Sequence, residues 1–258
     1  MATILAGEIS VFRIGSTTIS ARILGGGWDY VANGLPEYLL LQSEGESAGS
    51  DLIYLELSAS GESTVLWRRH FDNDRALLVE AAVTDLDGNG RREISALINH
   101  QSLPENASPQ WLQVFDWDSG KAIFADEPSY SWSYRGRGIS YLRPAGLIVS
   151  DLDSNGDDEL IVITGSPDRM VLVVDHSRSG LQAKADLRPR NIITGSRPFT
   201  AIDADLNGDL RRDIVVVGQG EDQPISAFID GRSSYREVTL TASTSQPILM
   251  DAIAAGDP

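Results

Sequence analysis

Asp151-Leu-Asp-Ser-Asn-Gly-Asp-Asp-Glu159 is an acidic nine-residue stretch that runs straight into an apolar one, Leu160-Ile-Val-Ile-Thr164. The same frame occurs twice more. It reads Asp85-Leu-Asp-Gly-Asn-Gly-Arg-Arg-Glu93 upstream and Asp205-Leu-Asn-Gly-Asp-Leu-Arg-Arg-Asp213 downstream. Each copy opens on Asp after an apolar run, closes on an acid eight residues later, and leads into a β-rich segment. Two fainter copies flank them. Asp29-Tyr-Val-Ala-Asn-Gly-Leu-Pro-Glu37 keeps the first, fifth, sixth and ninth positions but has Val31 at the third. Ile253-Ala-Ala-Gly-Asp257-Pro258 reads as the lead-in to another copy.

The first acids fall at 29, 85, 151, 205 and 257, at intervals of 56, 66, 54 and 52 residues. Between them lie short β-rich runs bounded by Gly, Asp, Asn and Ser, at 9–14, 38–42, 52–57, 93–98, 112–117, 160–164, 170–174 and 214–218. No window carries a capped 3.6-residue period, so helices are not expected. Ile214-Val-Val-Val217 is apolar throughout, which predicts an inner strand covered on both faces. A repeat of ~50 residues with about four short strands is the pattern of a propeller blade. The expectation is an all-β chain, one β-propeller domain over residues 1–258 with about five four-stranded blades. Repeat units start near 29, 85, 151 and 205, and residues 257–258 and 1–28 share one blade.

An Asp-x-Asp/Asn-x-Asn/Asp loop wraps alternate side chains around one point. Hard divalent cations take six to eight oxygens, and Ca²⁺ tolerates the irregular geometry that a loop supplies. The expected ligands are side-chain oxygens at the first, third, fifth and ninth positions and the carbonyl at the seventh. These are Asp85, Asp87, Asn89, Arg91 (carbonyl) and Glu93 in the first loop. In the second they are Asp151, Asp153, Asn155, Asp157 (carbonyl) and Glu159. In the third they are Asp205, Asn207, Asp209, Arg211 (carbonyl) and Asp213. Gly at the sixth position permits a positive φ at the bend. The third loop has Leu210 there, so its site is expected to be weaker or differently shaped, which leaves two or three Ca²⁺ sites. The loop opening on Asp29, with Val31 and few acids, is expected to bind nothing. An EF-hand would need a bidentate Glu at the twelfth position, where this chain has Ala96, Val162 and Val216.

Asp-x-Asp-x-Asn-Gly-x-x-Glu running into a strand at this period resembles the FG-GAP/VCBS repeat, which builds the β-propeller of integrin α subunits and many bacterial surface proteins. The Phe-Gly and Gly-Ala-Pro landmarks of that repeat are poorly kept, and its members usually have seven blades. The resemblance implies Ca²⁺ in the loops and, because such loops suit millimolar Ca²⁺, an extracytoplasmic location. It implies no single activity, since one fold hosts many functions.

Charge narrows the partners. The 258 residues carry 21 Lys+Arg against 37 Asp+Glu, a net −16. That field repels phosphate backbones and anionic membranes, so neither nucleic acid nor membrane insertion is expected. No segment approaches ~18 consecutive apolar residues. Cysteine is absent, which removes thiol catalysis and thiolate metal sites. The first ten residues lack a basic region and a long apolar core, so no signal peptide is read in them.

Other candidates carry less. His70, His100 and His176 follow no catalytic or zinc spacing. Asp116 and Asp118 fit a turn as well as paired acid chemistry. Tyr130-Ser-Trp-Ser-Tyr-Arg-Gly-Arg-Gly138 concentrates aromatic and Arg residues. Exposed, it is an interaction loop or a sugar-stacking face; buried, its aromatics fill a wedge between blades. Residues 43–50 and 102–110 read as polar loops. The functional expectation is a non-enzymatic, calcium-binding interaction or scaffold module with a protein partner. The alternatives are a carbohydrate-binding propeller and a secreted lyase or hydrolase.

Overall fold

A computed structural model describes residues 9–14, 17–43, 49–72, 76–100, 110–118, 121, 123–133, 144–164, 170–189, 200–217, 225–230 and 234–240. Among these the regular structure is all strand. The chain divides into two compact units, Met1–Thr84 with Arg91–Ser133, and Asp85–Gly90 with Tyr134–Pro258.

The first unit opens with β1 (Ile9–Ile14), β2 (Thr17–Trp28), β3 (Glu37–Ser43), β4 (Ser50–Leu57) and β5 (Ser63–Phe71). They pair antiparallel in sequence order, and a single parallel bridge, Ile14↔Ser63, also brings β1 to β5. β2 serves two neighbours. Its Thr17–Arg22 half pairs with β1, and the stretch from Arg22 to Trp28 pairs with β3. Alternation along β3 and β4 separates two apolar faces, as a period of two requires. Leu39 and Tyr54 join one cluster, while Leu40, Ile53 and Leu55 join the other.

Next come β6 (Ala76–Thr84), β7 (Glu93–His100), β8 (Leu112–Phe115), β9 (Trp117–Asp118), β10 (Ile123–Phe124) and β11 (Tyr130–Trp132). The order β11-β8-β7-β6 makes an antiparallel sheet, and β9 and β10 form a small hairpin. The run expected at 112–117 breaks at Asp116. Trp67 Nε1 donates to the Ala125 carbonyl at 3.2 Å, and Tyr54–Phe124 and Trp117–Phe124 meet edge to face at 4.9 and 5.2 Å between centroids. Arg22 on β2 holds Glu80 on β6 through both terminal guanidinium nitrogens, at 2.6 and 3.0 Å.

The second unit holds β12 (Pro144–Ser150), β13 (Glu159–Thr164), β14 (Val171–Ser177) and β15 (Gly180–Leu187) in one antiparallel sheet. β16 (Thr200–Ala204), β17 (Asp213–Val217), β18 (Ile225–Asp230) and β19 (Tyr235–Leu240) form another. β13 is buried along its whole length. Ile214, Val215 and Val216 are buried in β17 between β16 and β18, the inner position that their apolar run predicts. Leu152, Ile161, Ile163, Val173, Ile214 and Phe228 belong to one core shared by both sheets.

All five tryptophans lie among the described residues, and none is exposed. Trp67, Trp111 and Trp132 are buried, and Trp28 and Trp117 are half-buried. Trp132 lies on β11, so residues 130–132 of the 130–138 segment are strand. Residues 134–138, most of the 43–50 and 102–110 stretches, and, of the ends expected to share a blade, residues 257–258, 1–8 and 15–16 lie outside the described residues.

Candidate metal loops

Each acidic frame joins two consecutive antiparallel strands, which are the first and second of a four-stranded sheet in three cases and the second and third of the β1–β5 group in the other. Residues 29–36 join β2 to β3, and 85–92 join β6 to β7. Residues 151–158 join β12 to β13, and 205–212 join β16 to β17. The loops share one backbone solution. The fourth residue is left-handed in all of them: Ala32 (φ 57°), Gly88 (63°), Ser154 (58°) and Gly208 (76°). So is the sixth: Gly34 (81°), Gly90 (78°), Gly156 (97°) and Leu210 (70°).

The opening aspartate caps the bend. Asp151 accepts from the N–H of Asn155 and Gly156, both at 3.0 Å. Asp29 does the same with Asn33 at 2.9 Å and Gly34 at 3.1 Å. Asp205 accepts from Gly208, Asp209 and Leu210 at 2.7, 3.2 and 2.9 Å, and Asp85 accepts from Gly90 at 3.1 Å. Burial works to raise the Asp205 carboxyl, but these N–H donors outweigh it and hold it below the usual carboxylate range.

The closing acid is buried in every loop: Glu37, Glu93, Glu159 and Asp213 are at most 4 % exposed. Three of them accept from the second residue of their own loop: Glu37 from Tyr30 N at 2.7 Å, Glu159 from Leu152 N at 2.7 Å, and Asp213 from Leu206 N at 3.0 Å. The remaining oxygen differs. In Glu37 it takes Val31 N at 3.0 Å, and in Asp213 it takes Asp230 N at 2.8 Å. In Glu159 it takes the Lys184 ammonium at 2.7 Å.

The 151–159 loop brings its carboxylates together, and the Lys184 ammonium lies against two of them, Asp153 and Glu159. One oxygen each from Asp151, Asp153 and Glu159 lies within 4.8 Å of the others. Two ligands on opposite sides of a Ca²⁺ at ~2.4 Å would be separated by about that much. Asp153 Oδ1 is buried with no hydrogen-bond partner, and Asp153 Oδ2 lies 2.8 Å from Lys184 Nζ. Asn155 Oδ1 accepts from Asp157 N at 2.7 Å. Burial pushes the Glu159 carboxyl up despite Lys184 and the Leu152 N–H. Burial alone would lower Lys184, but Asp153 and Glu159 reverse this and raise it.

The 205–213 loop is arranged differently. Among the described residues its acids form no three-carboxylate group. Asn207 Oδ1 accepts from Asp209 N at 2.9 Å, and Asp209 Oδ1 accepts from Arg211 N at 3.0 Å. The Arg211 guanidinium turns away to Asp230, with Nε at 2.8 Å. The 85–93 frame is divided between the units. Asp87 accepts from Asn89 N and Nδ2 at 3.2 and 2.8 Å. Arg91 is exposed, and Glu93 opens β7 opposite Thr84.

Successive loops are also stapled. Asp158 N donates to the Asp85 carbonyl at 2.9 Å while Asp85 N donates to Asp158 Oδ2 at 2.7 Å, and Arg212 N donates to the Leu152 carbonyl at 2.9 Å. A Cβ on Gly88 would lie 1.7 Å from Asp157 Oδ1, so a side chain there would make the Asp157 carboxylate shift.

Sequence reasoning missed Lys184. It also missed the Asp51–His70 pair, with Nδ1 2.7 Å from the buried Asp51 carboxylate, whose other oxygen takes Arg68 Nε at 2.8 Å. Both arise from strand pairing, β15 beside β14 and β5 beside β4, which leaves no local motif. His100 ends β7 and His176 lies on β14. The chain matches no family model and no curated protein.

Proposed function

We propose that this chain is a calcium-stapled β-propeller, a non-enzymatic interaction module of the FG-GAP/VCBS type that works outside the cytosol and docks a protein partner. The reading rests on one observation. The same left-handed, Asp-capped loop recurs between consecutive antiparallel strands of four successive strand groups, and in the 151–159 copy three carboxylates and an orphaned Asp153 oxygen converge. The all-oxygen donor set fits a hard cation. β2, which divides its length between β1 and β3, supports a blade count above the four groups described.

In this reading Asp85, Asp87, Asn89 and Glu93, and Asp151, Asp153, Asn155 and Glu159, hold Ca²⁺, with a third set at Asp205, Asn207, Asp209 and Asp213. The ion adds cross-links between loop and strand and offsets part of the −16 net charge. An ion that binds only the folded state, at ~100 times its Kd, adds roughly 2.7 kcal/mol per site.

Thermal unfolding in millimolar CaCl₂ and then in excess EGTA, paired with calorimetric titration, tests the proposal. A fall in Tm on chelation with two or three binding events is the expected result. An unchanged Tm with no binding heat would remove the calcium reading.

A further inference from the structure

The register of β15 against β14 slips at one point. Val173 pairs with Ala185 and Val174 with Ala183, so Lys184 is the extra residue of a β-bulge. A bulge re-aims the side chain it carries. Here it sends the Lys184 ammonium into the 151–159 loop, 2.7 Å from Glu159 Oε1, 2.8 Å from Asp153 Oδ2 and 3.8 Å from Asp175 Oδ2. Those are the third- and ninth-position carboxylates of the loop, the pair that an ion would have to share. Glu37 and Asp213, the equivalent acids in two other loops, place backbone N–H groups on both oxygens instead.

We propose that Lys184 is a tethered counter-ion for the 151–159 loop, occupying the place of a divalent cation and competing with it. The inference rests on reading these loops as cation sites. A fully buried carboxylate without a partner is strongly destabilising, so one loop of the series is closed by the protein's own ammonium and needs metal least. The side chain is about one-third exposed, which leaves it a route out to solvent when Ca²⁺ enters. Calcium then binds this loop against a competitor that the sequence carries twenty-five positions further on.

The test uses the full chain and Ca²⁺ alone. Lys184→Met keeps the aliphatic stem and removes the charge; Lys184→Gln is the milder companion. In EGTA each should melt several degrees below wild type, and CaCl₂ should restore most of the loss. Titration should show a calcium event on the order of tenfold tighter than in wild type, or one event more. That gain should vanish when Asp153→Asn is added. Variants that melt like wild type in EGTA, or whose loss CaCl₂ does not restore, would overturn the proposal. Failure of both variants to fold even in CaCl₂ would overturn it too, because Ca²⁺ must be able to take the ammonium's place. The two readings separate cleanly. A wild-type protein blind to Ca²⁺ with a responsive Lys184→Met defeats the calcium role of the native loops and leaves this inference standing. A responsive wild type whose response Lys184→Met leaves unchanged defeats the inference alone.

Discussion

Leu210→Gly should make the protein more stable. Leu210 occupies the sixth position of its loop at φ +70°, where the other three loops have glycine. Its side chain is 80 % exposed, so truncation uncovers almost no apolar contact and the change isolates the backbone. A side-chain-bearing residue in the left-handed region costs about 1–2 kcal/mol. Glycine removes that strain but adds about 0.5–1 kcal/mol of conformational freedom to the unfolded chain. The difference is a gain of about 0.5–1 kcal/mol, or a Tm rise of ~1–4 °C in a chain of this size. Urea unfolding followed by tryptophan fluorescence in EGTA is the suitable assay, because ion occupancy then stays fixed. Leu210→Ala is the control: it keeps a Cβ and the strain, and should not gain. Gly156→Ala is the mirror image. At φ +97° a Cβ there meets nothing within 4 Å, so only backbone strain of about 1–2 kcal/mol and the offsetting loss of unfolded-chain freedom of about 0.5–1 kcal/mol act, a net loss of about 0.5–1 kcal/mol. Equal midpoints for Leu210→Gly and Leu210→Ala would refute the argument.

Two more predictions follow from buried polar groups. Glu37→Gln puts an amide NH₂ in place of one of the two carboxylate oxygens that now accept from Tyr30 N–H and Val31 N–H, leaving one buried N–H without an acceptor; melting curves should show a loss of about 1–3 kcal/mol. CaCl₂ should not restore it, because Val31 leaves that loop without a third-position oxygen. Burial first, then Glu37 for Tyr54 and Asp230 for Tyr235, raises both phenols above their ordinary range. The folded state favours the neutral phenol, so this contribution is full below pH ~10 and is lost as pH climbs beyond it. A phenolate absorbance titration should find Tyr54 and Tyr235 silent until the protein unfolds.

The inner strands were legible because each is a nearly continuous apolar run, as β13 and β17 demonstrate. Outer strands were not. β15 carries Gln182, Lys184 and Asp186 on a mostly exposed surface, and β2 contains Gly25-Gly26-Gly27, which reads as a loop until the Trp28 and Tyr38 rings are seen to lie where Cβ atoms at Gly25 and Gly26 would go. The acidic frame marked the loops and the left-handed sixth position through glycine. It gave no hint of the left-handed fourth position, because only two of the four residues there, Gly88 and Gly208, are glycine, beside Ala32 and Ser154. Lys184 was invisible for another reason. Only a bulge, a feature of pairing rather than of composition, turns it inward.

The loop over 29–37 separates two jobs that the frame combines elsewhere. It keeps the capping aspartate, the buried closing acid and both left-handed positions, yet has Val31 where the others have Asp or Asn. The first and ninth acids therefore build the loop through backbone N–H groups, whatever sits at the third position. In the calcium reading, what the 29–37 loop lacks beside its capping aspartate is the oxygen of the third residue, and a site also depends on whichever oxygen of the ninth acid the backbone has not taken. By that rule Glu159, with one oxygen on Leu152 N and the other on a side chain that can leave, is better placed to meet an ion than Asp213, whose two oxygens both hold backbone groups. A sequence match to the frame thus reports the bend, and the hydrogen-bond ledger of the ninth acid reports the room for a metal.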